Sequence, residues 1–245
     1  MDLQRTSRTT ASSRLFKDPR DRSWAVLRIV FLLVGLCVTH PATSQGNIDA
    51  VVEIYATKAG EMGFGTGFFV DATGRIATAY HVVHNAKRID AYDRRKQRYE
   101  NLRVVAVDPT NDVALLTIGA PRSGYVSLLD QAPPRQTQLS VIGHPYGSPF
   151  QTFTARATQD GYLDSLQLMD SRQTRIFASS IPIIPLDLTV YNGMSGGPIF
   201  VDGNRVVGLI SGSFNVGGSL VWGIPAKAII ALMAQRAANA VAPTS

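Results

Sequence analysis

Ser195 stands between glycines in Asn192-Gly193-Met194-Ser195-Gly196-Gly197-Pro198-Ile199-Phe200, and an apolar, strand-like run comes at once after it. A hydroxyl raised on a tight glycine backbone, open to close approach, is what a serine nucleophile needs. An ordinary glycine-rich hairpin turn has the same composition. A serine attacks a carbonyl at neutral pH only beside a base, and the chain has four histidines: His40, His81, His84 and His144. His81 closes the short apolar segment Ile76-Ala77-Thr78-Ala79-Tyr80-His81. Downstream, Asp112 enters the apolar run Val113-Ala114-Leu115-Leu116. A carboxylate at the mouth of a buried strand is costly unless a partner holds it, and an imidazole N–H is such a partner. The order His, Asp, Ser is one of those in which acyl-transfer triads occur.

Gly193-Met194-Ser195-Gly196-Gly197 also fits the G-x-S-x-G pattern of a strand–turn–helix nucleophile elbow, whose acid and histidine come after the serine. No histidine lies beyond Ser195, and Asp202 is the only acid after it, which excludes that arrangement. His81 and His84 lie three apart, but two ligands without a nearby third make a poor metal site. His84 reads as a surface residue, His144 before Pro145 as part of a structural turn, and His40 as part of the leader. Cys37 is the single cysteine. A chain that has lost its leader therefore has no cysteine nucleophile, zinc–thiolate site or intrachain disulfide. No metal and no cofactor are expected.

The elements that must position these side chains are short and β-rich. Expected strands are Val51–Thr57, Gly67–Asp71, Arg75–Thr78, Arg88–Asp93, Leu102–Val107 and Val113–Ile118. After a Pro-containing linker near Gln131–Arg135 come Leu139–Ile142, Thr152–Ala157, Arg175–Ala178, Pro198–Val201, Arg205–Ser211 and Ser219–Ile224. Six strands on each side of a linker fit two small antiparallel barrels, with His81 and Asp112 in the first and Ser195 in the second. Two segments echo each other: Phe68-Phe69-Val70-Asp71 leads to Gly74-Arg75-Ile76 much as Ile199-Phe200-Val201-Asp202 leads to Gly203-Asn204-Arg205-Val206. Pro225–Gln235 has helical apolar spacing and is expected to close the second barrel, with 237–245 as a flexible tail.

The formal net charge of +6 is mostly a property of residues 1–44, which hold seven basic and three acidic side chains. The remainder carries seventeen and fifteen, a net of +2. Arg94-Arg95-Lys96 with Arg98, flanked by Asp93 and Glu100, reads as a solvated hairpin tip, and no nucleic-acid partner is expected. Residues 1–23 are rich in Arg, Ser and Thr and precede the apolar Trp24–Val38, interrupted by Arg28. Ala42 and Ser44 occupy the small-residue positions before a cut at Gln45. Residues 1–44 thus have the layout of a secretory signal with a long n-region; an uncleaved membrane anchor and an organelle transit peptide are the alternatives. Export to the periplasm or beyond is expected, with membrane contact only through an uncleaved leader.

Thr78-Ala79-Tyr80-His81-Val82-Val83, Asn111-Asp112-Val113-Ala114-Leu115-Leu116 and Gly193-Met194-Ser195-Gly196-Gly197-Pro198, in order and at domain-scale spacing, resemble the chymotrypsin-fold serine peptidases, closest to the HtrA/DegP-like bacterial branch. Val141-Ile142-Gly143-His144-Pro145-Tyr146-Gly147 and Gly223-Ile224-Pro225 are lesser echoes. The resemblance runs from about Ala50 to Arg236. It implies an all-β fold of two six-stranded antiparallel β-barrels, over 45–130 and 136–236, with a C-terminal helix; the PDZ domain common in that branch is not expected here. It also implies a serine endopeptidase with His81, Asp112 and Ser195 as catalytic residues and the N–H groups of Gly193 and Ser195 as the oxyanion hole. Substrate contacts are expected from Thr189, Val190, Tyr191, Ser211, Gly212, Ser213 and Leu220, in an apolar, shallow pocket. The substrate implied is a protein or peptide. Met194 departs from the family, which carries an acid or Asn there, and a loop needing substrate or a partner to order it is the expectation. A weakly active or non-catalytic peptide-binding protein of the same fold is the alternative reading.

Overall fold

The computed structural model describes residues 46–148, 150–164, 180–215 and 219–241. The leader, with Cys37 and His40, and the expected strand Arg175–Ala178 lie outside them. The first half begins with β1 (Val51–Thr57), β2 (Met62–Phe69) and β3 (Arg75–Ala79), then one helical turn, α1 (Tyr80–Val83). It continues through β4 (Arg88–Asp93), the two-residue β5 (Arg98–Tyr99), β6 (Arg103–Asp108) and β7 (Val113–Thr117). These strands form one antiparallel sheet in the order β5-β4-β1-β2-β3-β7-β6. The Leu102 N–H donates to the Ile89 carbonyl (2.8 Å), linking the lead-in of β6 back to β4. The interior is filled by Val52, Ile54, Phe68, Ile76, Leu115 and other fully buried apolar side chains.

The second half contains β8 (Ser127–Leu128), β9 (Gln138–Gly143), β10 (Gln151–Ala157), β11 (Leu163–Asp164), β12 (Pro182–Asp187), β13 (Pro198–Phe200), β14 (Arg205–Asn215) and β15 (Ser219–Pro225). The order β10-β9-β13-β14-β15-β12 returns to β10 through the pairs Arg156↔Asp187 and Ala157↔Leu186, which closes a six-stranded antiparallel barrel. The short β8 and β11 are appended to β14 and β12. The expected all-β architecture of two barrel-like sheets with a C-terminal helix is the one observed, but the first sheet has seven strands, not six.

Pro182 and Pro185 argue against a strand at residues 182–187, because proline cannot donate to a ladder. The structure accommodates β12 locally. The Pro185 carbonyl accepts from the Thr158 N–H (3.1 Å), one residue past the end of β10. A strand residue's nitrogen and carbonyl face the same neighbour, so the missing N–H falls where the β10 ladder has already ended.

The C-terminal helix α2 (Ala226–Val241) runs past the expected end at Gln235, consistent with the strong helix preference of the alanines in Ala237-Ala238-Asn239-Ala240. It was expected on the second barrel alone, but it packs against β6 and β7 as well as β14 and β15. Ile229 and Leu232 join an apolar cluster containing Leu115 and Leu116 of the first half and Leu209 and Ile224 of the second. The helix therefore pins the two barrels to each other. The echoing segments are equivalent hairpins: Val70 N–H donates to Arg75 O and Val201 N–H to Arg205 O, both at 2.9 Å. Each turn carries an Asp–Arg pair, Asp71–Arg75 and Asp202–Arg205.

Candidate active site

His81 is the second residue of α1, just beyond the end of β3. The first N–H groups of a helix lack intrahelical acceptors, and here Asp112 satisfies two of them. Tyr80 N–H donates to the Asp112 carbonyl (3.0 Å) and His81 N–H to Asp112 Oδ1 (2.9 Å). The other carboxylate oxygen, Oδ2, lies 2.8 Å from His81 Nδ1. One side chain thus fixes both the backbone and the ring of His81. Asp112 can do so because it adopts a left-handed φ of 54° at the turn into β7, a conformation Asp tolerates better than most residues. Asp108 shapes that turn by accepting from the Asn111 N–H (3.1 Å) and Nδ2 (2.6 Å). With a carboxylate at Nδ1, the ring proton sits on that nitrogen, and Nε2 presents its lone pair outward. The His81 side chain is half exposed.

Ser211 supplies a third donor to Asp112, Oγ to Oδ2 at 2.6 Å. Its position arises from a β-bulge: Ile210 pairs with Gly223 and Gly212 with Trp222, leaving Ser211 as the extra residue of β14. Such bulges re-aim a side chain. Ser211 was expected among the substrate contacts, and its side chain donates to the carboxylate.

The loop from Tyr191 to Gly197 is held plane by plane. Asn192 O accepts from the Tyr146 N–H (2.7 Å), and Met194 N–H donates to Tyr191 O (3.1 Å). Gly193 O accepts from Thr66 Oγ1 (2.7 Å) and Ser195 O from the Thr66 N–H (2.8 Å). Gly196 N–H donates to Ile210 O (2.6 Å) and Gly197 N–H to Met194 O (2.9 Å). Of the N–H groups from 193 to 197, those of Gly193 and Ser195 alone have no protein acceptor among the described residues. Gly193 (φ 99°) and Gly196 (φ 83°) adopt conformations that L side chains rarely reach. A Cβ on Gly196 would also lie 2.2 Å from Thr66 O and 2.4 Å from Thr78 Oγ1.

Met194 is fully buried and packs with Leu139, Val141, Ile199 and Ile210 in the second barrel's interior. Tyr191 N–H points at its sulfur (3.3 Å). The departure that suggested a loop awaiting a partner is an apolar anchor beneath an ordered loop. Gly196 packs against Ala79, two residues before His81, which sets the loop carrying Ser195 on the wall of the first barrel that leads to His81. Among the described residues no hydrogen bond joins Ser195 Oγ to His81. The structure brings His81 and Asp112 into direct contact and leaves the Ser195 hydroxyl unpaired with the base.

The sequence of residues 65–209 matches the model of the trypsin-like peptidase domain. The chain belongs to that family. A DegP-like periplasmic serine endoprotease of Chlamydia trachomatis, so named as probable, is 29% identical over 180 residues, which cover 70% of this chain and 32% of the relative. Serine protease HTRA1A of Danio rerio is 26% identical over 182 residues, covering 74% and 36%. The chain thus spans about a third of the length of these relatives. In fold, the peptidase domain superposes on the active form of an M. tuberculosis protease with a TM-score of 0.66 at 22% identity, covering 77% of this chain and 81% of the other.

Other family-derived positions fall around the nucleophile loop. Thr189 and Tyr191 are exposed and Val190 is half-buried against the second core. Tyr191 stands near the rings of Tyr146 (5.8 Å) and Phe153 (6.2 Å). A Cβ on Gly212 would meet the Trp222 ring, so that glycine permits close stacking. Gly212 and Ser213 pair with β15 on one side only, since β13 ends its ladder at Leu209. Leu220 pairs with Phe214, and its side chain lies outside the described ones. Asp187 pairs with Arg156 at the end of β12 and is exposed.

Two contributors escaped the sequence. Thr66 reaches the nucleophile loop from β2, and His144, expected only to shape a turn, is fully buried with its Nε2 on the Gly65 carbonyl. Burial holds the His144 pKa below the ordinary value, outweighing the Gly65 bond that raises it. Nothing in a single sequence marks either, because their partners lie 79 to 127 residues away.

Proposed function

We propose that this chain is a serine endopeptidase. Ser195 Oγ attacks the scissile carbonyl carbon while His81 Nε2 takes its proton, and Asp112 holds the ring and stabilises the imidazolium. The developing oxyanion accepts from the Gly193 and Ser195 N–H groups. The C–N bond then breaks, His81 gives its proton to the leaving amine, and an ester on Ser195 remains. Water, deprotonated by the same imidazole, hydrolyses the ester and restores Ser195. The observation that supports this reading is the His81–Asp112 pair, in which the carboxylate holds Nδ1 and leaves Nε2 available as the base.

The substrate is a protein or peptide whose backbone pairs with the open edge of Gly212–Ser213. The pocket for the residue before the scissile bond takes small aliphatic side chains, because Thr189, Val190 and Leu220 supply no carboxylate to meet a cation. The leader exports the chain to the periplasm or beyond and is cut before Gln45, in keeping with the periplasmic names of its DegP-like relatives.

Met194, where the family carries an acid or Asn, favours a second reading, a weakly active or non-catalytic peptide-binding protein of the same fold. A fluorophosphonate probe on the purified chain, with the labelled residue mapped and casein hydrolysis measured alongside, separates the two. Labelling of Ser195 with hydrolysis that Ser195→Ala abolishes is the expected result. A folded protein that neither labels nor hydrolyses would establish the binding protein instead. N-terminal sequencing of the exported chain tests the cut.

A further inference from the structure

We infer that Thr66 is a positioning residue for catalysis, setting the orientation of the oxyanion-binding peptides from the opposite barrel; this rests on the serine-peptidase reading above. Thr66 is fully buried on β2 and makes no contact with solvent. Both of its donors go to the nucleophile loop: Oγ1 to Gly193 O at 2.7 Å and N–H to Ser195 O at 2.8 Å. Its own carbonyl accepts from Thr78 Oγ1 (2.7 Å), which fixes Thr66 against β3.

A trans peptide points its carbonyl and N–H in opposite directions, so a bond at one end sets the other. The peptides 192–193 and 194–195 are held at their carbonyls by Tyr146 and Gly197, which leaves the Gly193 and Ser195 N–H groups free. The peptides 193–194 and 195–196 alternate with these and are held at both ends, each carbonyl by Thr66 and each N–H by Tyr191 O or Ile210 O. Without the hydroxyl, the Gly193 carbonyl is buried and unpaired, and rotation of its plane toward the open cleft relieves that cost. Gly193, at φ 99° and lacking a Cβ, offers little resistance to such a rotation. Such a turn also gives up the Met194 N–H bond to Tyr191 O and shifts the backbone of Gly193, whose N–H must meet the oxyanion. The hydroxyl therefore acts on the transition state more than on substrate binding.

The test compares Thr66→Val, which keeps the shape and loses the hydroxyl, with Thr66→Ser, which keeps the hydroxyl. Rates on a fluorogenic peptide are expressed per site counted by complete fluorophosphonate labelling, and melting is monitored by circular dichroism. Thr66→Val is expected to lose about 10–100-fold in kcat, the scale of a small misplacement of catalytic groups, with KM within about 3-fold. Affinity for a peptidyl boronate falls by the same factor, and Thr66→Ser restores both to within about 3-fold. A merely structural role would lower the melting temperature and the number of labelled sites while leaving kcat per site unchanged, and that result overturns the inference. So does a Thr66→Ser variant as impaired as Thr66→Val. Should Thr66→Val not fold, Thr66→Ala against Thr66→Ser makes the same comparison across one oxygen atom. If the wild-type chain itself neither labels nor hydrolyses, the peptidase reading has failed and this inference falls with it; an active wild type with an indifferent Thr66 overturns this inference alone.

Discussion

Replacing Asp112 with Asn removes a charge but keeps the shape, and its effect is set by the three donors around the carboxylate. Oδ1 receives His81 N–H at 2.9 Å, while Oδ2 receives His81 Nδ1 at 2.8 Å and Ser211 Oγ at 2.6 Å. An amide has one oxygen and one NH2. With its oxygen at the Oδ2 position, the NH2 would face the His81 backbone N–H, donor against donor. With its oxygen at the Oδ1 position, the backbone N–H stays paired and the NH2 donates toward Ser211 Oγ and His81 Nδ1. The second arrangement wins, because Ser211 can rotate its proton and imidazole can change tautomer. It puts the ring proton on Nε2, where His81 can no longer accept the proton of Ser195. In the serine-protease template this exchange costs about 10⁴ in kcat, equivalent to about 5.4 kcal/mol of barrier. Stability should change by only about 1 kcal/mol, since the His81 N–H keeps its acceptor, Ser211 Oγ and His81 Nδ1 stay in contact as acceptors, and what is lost is charge assistance and the acceptor of the Ser211 proton.

The assay is kcat/KM on a fluorogenic peptide at neutral pH, per titrated site, beside a urea unfolding curve. Ser211→Ala is the control: it removes one of three donors and leaves the tautomer intact, so a loss of about 10-fold or less is expected. Asp112→Asn activity above about one hundredth of wild type would refute the tautomer reasoning. A loss of stability of several kcal/mol would show that the site had been rebuilt instead.

Met194→Ala should destabilise the fold by about 2–5 kcal/mol, because it empties a fully buried position in the second barrel, as read from urea midpoints. His144, whose burial lowers its pKa, stays neutral in the folded chain at pH values where the unfolded chain takes up a proton. Stability is therefore complete only above about 6.5 and is lost as pH drops below that value; the melting temperature of His144→Gln should depend less steeply on pH between about 7 and 5. Peptide-library profiling should favour Val, Ile and Ala before the scissile bond, in graded order because a methylene in such a pocket is worth only about 1–3 kcal/mol. A dominant Arg or Lys there would mean that the pocket is built from other residues.

The parts of the fold that period and composition report were readable in advance. Residues 51–57 and 88–93 form strands over the expected spans, the first as a run rich in β-favouring residues and the second as polar residues alternating with Ile89 and Ala91. The His81–Asp112 contact was readable because an acid leading into Val113-Ala114-Leu115-Leu116 demands a partner. Other features broke the signals being read. Prolines hid β12, and the exposed Met62-Gly63-Phe64 hid the first turn of β2. The extra residue at Ser211 is invisible to a period of two, which is why its bond to Asp112 left no sign in the sequence.

What binds one barrel to the other left still less trace, and the reason is physical. Burial is a property of a residue, and patterning reports it; a partner is a property of a pair. Thr66 reads as an ordinary strand threonine between two glycines, and His144 as a residue before a proline. Yet residues 65 and 66 of β2 receive the His144 ring and hold the Gly193 and Ser195 carbonyls, so one short stretch of the first barrel touches both loops of the second. The flanking glycines are part of the same arrangement. A Cβ on Gly65 would strike Val82 at 2.3 Å, beside His81, and one on Gly67 would strike Ile54 and Ile76. Gly65 thus lets α1 close onto β2, and α1 carries the base to the same wall on which the nucleophile loop rests. His81 and Ser195, the proposed base and nucleophile, come from different barrels, but both are referenced to β2, so small motions between the barrels need not separate them.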